Sequence, residues 1–313
     1  MQRPGGKTYL WREFLVFNTA AKRFGRRKKP VGMNVSTVFP EGYVENERVH
    51  QSSSVPKEDE DFDQERLRRM KEFVGLEEVT RLDFLVSLFA EILGTFLLVL
   101  IGCASCITWV ANMPPSVLHI AFTFGLAVAS LAQALGPISG CHVNPAVSVG
   151  LMVSGNCTFL KALSYMVCQC CGAIAGSAVL KLMLPQSQVT KGLGATTLGP
   201  EVSVGQGVVM EAIITFLLVL VVHAVTDSKR TDTKGWAPLA IGLTISVAHM
   251  AAVPITGSSM NPARTLGPAV VQNDYQHMWV YWVGPLIGGC VAGGVYRMGL
   301  RPNREDDEGS YDF

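Results

Sequence analysis

The chain has 313 residues, 49% of them hydrophobic and only 16% charged, against roughly 25% charged in an ordinary soluble domain. Its mean hydropathy is +0.29, and the net charge of +1 conceals a segregation in which charges crowd toward the two ends. These values exclude an ordinary soluble globular domain, and nucleic acid is not an expected partner.

The first 80 residues read as a tail of mixed character. Met1–Pro30 hold nine Lys/Arg, among them Arg26, Arg27, Lys28 and Lys29, against the single acid Glu13. No apolar core follows, as a secretory signal would require. Residues Glu41–Glu65 are acidic and polar. They bury too little apolar surface to fold alone, so most of the tail is expected to be disordered. The basic block either touches anionic lipid or only sets topology. A short amphipathic helix is expected over Asp63–Gly75.

Six later stretches approach the roughly 20 apolar residues that a membrane crossing needs. Phe84–Val110 carries Glu91 as its one charge, and Val117–Ile138 carries only His119. Ala162–Leu180 carries none, and Val202–Val225 carries Glu211 and His223. Trp236–Val253 carries His249, and Met278–Tyr296 carries none. Six buried helices of a large soluble protein would each keep a polar face, and these mostly do not. The cysteines are read as small packing residues rather than zinc ligands, because the CQCC stretch at 168–171 has no histidines at ligand spacing. No metal site is expected.

Lys and Arg in short loops set orientation. Arg66, Arg68, Arg69, Lys71 and Arg81 precede the first span, Lys229, Arg230 and Lys234 follow the fourth, and Arg297, Arg301 and Arg304 follow the sixth. With six spans these fall on one side, so both termini are expected in the cytoplasm. The sequons at Asn34 and Asn156 then lie on that side and go unused.

The strongest signal is an internal repeat. Asn144-Pro145-Ala146 recurs as Asn261-Pro262-Ala263, at 261 − 144 = 117 residues. At that offset Ile138-Ser139-Gly140 matches Ile255-Thr256-Gly257, and Gly125 matches Gly242. Glu91 and Glu211 each introduce an apolar run containing TFLLVL, at Thr95–Leu100 and Thr215–Leu220. Two similar halves of three spans each must insert with opposite orientation. Each half also holds an apolar stretch too short to cross, at Pro145–Val153 and Pro262–Val271. Proline suits the first turn of a helix and asparagine the cap before it. Under inversion these half-helices enter from opposite faces and meet near the middle. The irregular segments leading to them, Gly136–Asn144 and Pro254–Asn261, must then be buried or line a cavity.

Two such boxes in two similar halves resemble the aquaporin (major intrinsic protein) family, over roughly Asp83–Met298. The resemblance implies an all-α membrane fold of six transmembrane helices plus two re-entrant half-helices. It sets a tail at 1–80, a channel domain at 81–298 (repeats 83–182 and 203–298) and a second tail at 299–313. It also implies a homotetramer with one pore per subunit, in the plasma membrane or in vesicles. Asn144 and Asn261 would donate to a passing water, and the facing helix amino termini would repel cations. In the family a narrower ring comes from an aromatic, a residue of span five and two from the second re-entrant loop. Those positions here are Phe124, His249, Ser258 and Arg264. An arginine at membrane depth is costly and is functional by default. The family's glycerol conductors carry a small residue where His249 stands and an aspartate after the arginine, where this chain has Thr265. The resemblance is therefore to the water-selective branch. Ser258 replaces a cysteine that mercurials often block there, while Cys141 stands at the matching place in the first half. Glu91 and Glu211 are expected to hold the re-entrant loops, with His142 a candidate side-chain partner. Gly172/Gly176 and Gly289/Gly293 have the spacing of close helix contacts.

The expected function is a passive water channel with no catalytic cycle and no cofactor, and no nucleotide loop or Ser-His-Asp arrangement stands against it. A broader pore for peroxide, urea, ammonia or glycerol is the nearest alternative, and peroxide is not excluded by the ring. An adhesion or scaffold protein with a vestigial pore would suit the long tail, but intact Asn144, Asn261 and Arg264 argue against it. A proton relay through Glu91 and Glu211 would instead predict pH-coupled transport.

Overall fold

A backbone amide left unpaired in hydrocarbon is costly, so apolar spans must close their hydrogen bonds internally. A computed structural model of the chain describes residues 57–110, 112–189, 192–230 and 235–301, with side chains from Gln64 onward. The basic block at 26–29, the sequon at Asn34, loop residues 231–234 and Arg304 lie outside the described residues.

Ten α-helices run through the described part. They are α1 (Lys57–Val74), α2 (Leu82–Ala104), α3 (Val117–Ser139), α4 (Pro145–Ser154), α5 (Phe159–Met183), α6 (Gln186–Val189), α7 (Val204–Thr226), α8 (Ala237–Thr256), α9 (Pro262–Gln272) and α10 (Val280–Val295). Helices α2, α3, α5, α7 and α8 are each long and apolar enough to cross a bilayer. The sixth expected span divides differently. Its α-helical part has 16 residues and runs directly into a five-residue π-helical turn, Tyr296–Leu300. The 21 residues together reach about 30 Å at the α-helical rise.

Several boundaries differ from the sequence expectation. The first span stops at Ala104, not Val110, because the chain turns there and Ser105 Oγ donates to the Gly102 carbonyl at 2.7 Å. Helices α3 and α8 continue through Pro137 and Pro254 and end on left-handed Gly140 (φ 87) and Gly257 (φ 77). The irregular segments are therefore only Gly140–Asn144 and Gly257–Asn261. The amphipathic helix before the first span starts at Lys57 rather than Asp63.

The packing obeys the repeat. Helix α2 packs on α5 as α7 packs on α10, α9 lies on α5 as α4 lies on α10, and α3 crosses α8. At that last crossing a Cβ on Gly125 would strike the Gly242 carbonyl, and one on Gly242 the Gly125 carbonyl. At these matched glycines α3 and α8 meet backbone to backbone. The two GxxxG pairs, in contrast, do different jobs. Gly172 and Gly176 face the Ile92 and Phe96 carbonyls of α2, whereas Gly289 and Gly293 face the Ala146 and Gly150 carbonyls of α4.

Candidate functional site: a central cavity between the half-helices

The two re-entrant loops are built on strained backbone. Cys141 (φ 48), Val143 (φ 42), Ser258 (φ 52) and Met260 (φ 52) all adopt the left-handed region, and they match in pairs at the repeat offset. A β-branched residue such as Val143 is a true outlier there, and such strain persists only where the surroundings enforce it.

A buried glutamate enforces it in each half. Glu211, with no exposed surface, accepts from Thr256 Oγ1 (2.6 Å), Ser259 N (2.9 Å) and Met260 N (2.8 Å). Glu91, equally buried, accepts from Ser139 Oγ (2.7 Å), His142 N (2.9 Å) and Val143 N (2.7 Å). The hydroxyls of Tyr165 and Tyr281 donate to the Ser139 and Thr256 carbonyls, both at 2.8 Å. His142 reaches Glu91 through its backbone N–H. Its ring pairs with Ser148 Oγ (3.0 Å) instead, which corrects the expected side-chain bridge. The side chain that the sequence did not reveal is Gln169, whose Nε2 donates to Glu91 Oε2 at 2.8 Å and to Ser148 Oγ at 3.1 Å.

Asn144 and Asn261 cap α4 and α9. Asn144 Oδ1 accepts from Ala146 N (2.8 Å), and Asn261 Oδ1 accepts from Ala263 N (3.0 Å) and Arg264 N (3.2 Å). Pro145 and Pro262 occupy the first helical turn, where no donor is needed. The two caps are also tied across the repeat. Asn144 Nδ2 donates to the Met260 carbonyl at 2.9 Å, and Asn261 Nδ2 to the Val143 carbonyl at 2.8 Å. Each amide has two hydrogens, so each keeps one. Both residues line a cavity of about 360 Å³ that runs from this centre to Asp227 and Arg301 near the ends of α7 and α10.

The same cavity is lined by Phe124, His249 and Arg264. The Phe124 and His249 rings stack at 4.7 Å between centroids, and the Arg264 guanidinium carbon lies 4.9 Å from the Phe124 ring centre. His249 Nδ1 meets the Ile245 carbonyl at 3.0 Å. A carbonyl only accepts, so Nδ1 carries the proton, and in the neutral ring Nε2 is left as an acceptor. Nε2 is buried and has no protein partner. Arg264 is 2% exposed, and no carboxylate lies within salt-bridge distance of it among the described residues. Its Nη1 donates to the Gly194 carbonyl at 2.7 Å. Gly194 is left-handed (φ 67), and a Cβ there would stand 2.8 Å from the Cys103 carbonyl oxygen. The loop before α7 thus holds the arginine through a glycine that no sequence signal had marked.

Ser258 departs from this group. It is fully buried, its N–H donates to Thr256 Oγ1 at 3.1 Å, and it does not line the cavity. Its counterpart Cys141 does line the cavity. Ala146 and Ala263 are fully buried and close the packing behind the caps. No cluster of three or more metal-ligating residues occurs among the described residues.

Comparison with known proteins follows the same outline. The family model described as major intrinsic protein matches residues 78–296. Aquaporin-5 of Sus scrofa is 44% identical over 72% of this chain and 85% of its own length. Aquaporin-4 of Homo sapiens is 41% identical over 71% of this chain and 69% of its own length. Among solved structures, the aquaglyceroporin from Plasmodium falciparum superposes with a TM-score of 0.63 at 25% identity, covering 70% of this chain and 98% of that one.

Proposed function

Because this chain belongs to the major intrinsic protein family, a family of membrane channels, we propose that it is a passive water channel that excludes protons, ions and glycerol. One observation carries the reading: both capping asparagines, Phe124, His249 and Arg264 line a single cavity. The similarity to aquaporin-4 and aquaporin-5 supports the same solute.

Water enters through the ring. Phe124 and His249 limit the opening by bulk, and His249 Nε2 and the Arg264 guanidinium replace part of the water's lost hydration. Arg264 raises the electrostatic cost for any cation. At the centre a water accepts the remaining hydrogens of Asn144 and Asn261. With both lone pairs engaged, it cannot accept a proton from a neighbouring water, and the wire is interrupted. The amino termini of α4 and α9 add about half an elementary positive charge each, which repels hydronium. Glu91 and Glu211 hold the loops and relay no proton, because each accepts from one hydroxyl and two loop backbone N–H groups, and Glu91 also from Gln169 Nε2, so their oxygens are engaged by donors. The assembly we favour is a homotetramer in the plasma membrane with both termini cytoplasmic. The basic residues around Arg66–Lys71 and Lys229–Arg230 support that orientation.

The test is osmotic swelling of liposomes holding the purified protein, with glycerol uptake in parallel. Fast swelling with a low activation energy and no glycerol flux is expected. His249→Gly should then admit glycerol while water still passes. Swelling no faster than empty liposomes, or glycerol flux in the unmodified protein, would overturn the reading.

A further inference from the structure

Helix α1 has no part in the pore, yet its last turns are chemically organised. Leu67, Met70, Phe73 and Val74 are 42%, 51%, 53% and 37% exposed. At about 100° per residue they fall within an arc of roughly 120° on one side of the helix. Arg66 lies in that arc and Lys71 just beyond its other edge, and neither has an acidic partner among the residues whose side chains are described, Gln64 onward. Glu65, Arg68 and Glu72 turn to the opposite face. There Glu65 pairs with Arg68 and Arg69, and Glu72 with Arg68.

The end of α1 is held at a defined level. Left-handed Gly75 (φ 77) terminates it and packs so closely on Thr158 that a Cβ would collide with that side chain. Glu78 then accepts from Thr158 Oγ1 at 2.9 Å and from Lys161 Nζ at 2.8 Å. Thr158 and Lys161 stand at the start of α5, and α2 begins at Leu82. The helix therefore leaves the molecule where two spanning helices reach the membrane surface. The exposed apolar side of α2 starts at the same place, with Leu82, Leu85, Val86 and Phe89 all exposed.

We propose that α1 is an interfacial anchor whose occupant is the membrane leaflet itself. Its apolar edge continues the exposed apolar surface of α2 into the headgroup boundary. Arg66 and Lys71 extend along that edge to lipid phosphates, and the paired charges of the far face stay in water. The proposal rests on the chain crossing the membrane and not on which solute it conducts.

The experiment uses the full chain in nanodiscs of phosphatidylcholine and phosphatidylserine. Phe73 and, in a separate preparation, Glu72 are replaced by p-benzoylphenylalanine and irradiated. Lipid adducts at position 73 should exceed those at 72 by about tenfold, because an interfacial helix buries one face and leaves the other wet. Equal lipid labelling, or crosslinks from position 73 to a second copy or to another segment of the chain, would overturn the proposal. A second measurement is independent of the probe. Leu67→Ser with Phe73→Ser should raise tryptic cleavage at Arg66–Lys71 about tenfold or more, since cleavage follows the population of the released helix. Water flux should stay unchanged. Cleavage as slow as in the unmodified protein would count against the anchor.

Discussion

Replacing Glu211 by glutamine tests whether the buried carboxylate holds the second re-entrant loop. All three partners of Glu211 are donors: Thr256 Oγ1, Ser259 N and Met260 N. Glutamine keeps one carbonyl oxygen and turns the other into a donor. With its carbonyl toward Thr256 and Ser259, its amide opposes the Met260 N–H. Flipped, it opposes the Ser259 N–H, while the Thr256 hydroxyl can turn to accept. Either way one loop N–H loses its acceptor in a site with no exposed surface. A hydrogen bond to a charged group contributes roughly 1.5–3 kcal/mol, and a buried unsatisfied donor costs about 1–3 kcal/mol. The two overlap, so about 3 kcal/mol is the reasoned loss, or roughly a hundredfold in the population of the native loop. Ser258 and Met260 are left-handed in that loop, and their strain then has less to oppose it. Glu211→Gln should lower swelling rates of proteoliposomes at equal protein content and speed hydrogen exchange at the Met260 amide about a hundredfold. Unchanged flux together with unchanged Met260 protection would refute the reasoning.

Three further outcomes follow from other contacts. Mercurials should inhibit weakly or through Cys141, which lines the cavity; inhibition that persists in full in Cys141→Ser would show another target. A Cβ on Gly289 would stand 2.5 Å from the Ala146 carbonyl oxygen, so Gly289→Val should push α10 off α4 at a cost of about 1–3 kcal/mol; an unchanged thermal midpoint in detergent would contradict this contact. Glu78 lies outside the spans; burial opposes its charge, but the Lys161 and Thr158 donors outweigh burial and hold its carboxyl below the ordinary 4.5. Its contribution is then fully present above that ordinary value and lost as the pH falls through the lowered one. Hydrogen exchange at residues 75–81 should accordingly stay constant near neutrality and rise only in acid, with that acid limb absent in Glu78→Gln. Loosening between pH 6 and 7 would count against the contact.

What the sequence made legible was whatever the repeat wrote twice. The half-helices start at Pro145 and Pro262 as expected, because proline and a capping asparagine are local signals. Glu91 and Glu211 were legible as paired buried acids. Their partners were less so, since Gln169 meets Glu91 across 78 positions of chain and no spacing announces it. The bonds from Asn144 to Met260 and from Asn261 to Val143 join the halves over more than a hundred residues. Only the folded pairing of the loops could display them. The GxxxG pairs do mark close helix contacts, as expected, but their partners were not legible for a related reason. The motif says that a helix approaches closely, and it does not say which neighbour.

The repeat also locates where the two ends of the cavity must differ. Moved by 117 positions, Phe124 becomes Ile241, His249 becomes Ala132, Arg264 becomes Val147 and Ser258 becomes Cys141. Those four counterparts all line the same cavity as the ring. The backbone there is nearly mirror-matched, down to the left-handed residues at 141 and 258 and at 143 and 260. The chemistry is not, because one side offers an arginine, a histidine and an aromatic face, and the other offers aliphatic groups and a thiol. The matched scaffold held by Glu91 and Glu211 places two similar loops at the centre. On the function proposed above, the polar contacts of the ring sit at positions where the halves have diverged. That is why His249, opposite an alanine in the other half, is the substitution most informative about selectivity, and why a change at Glu211 should reduce flux without altering which solutes pass.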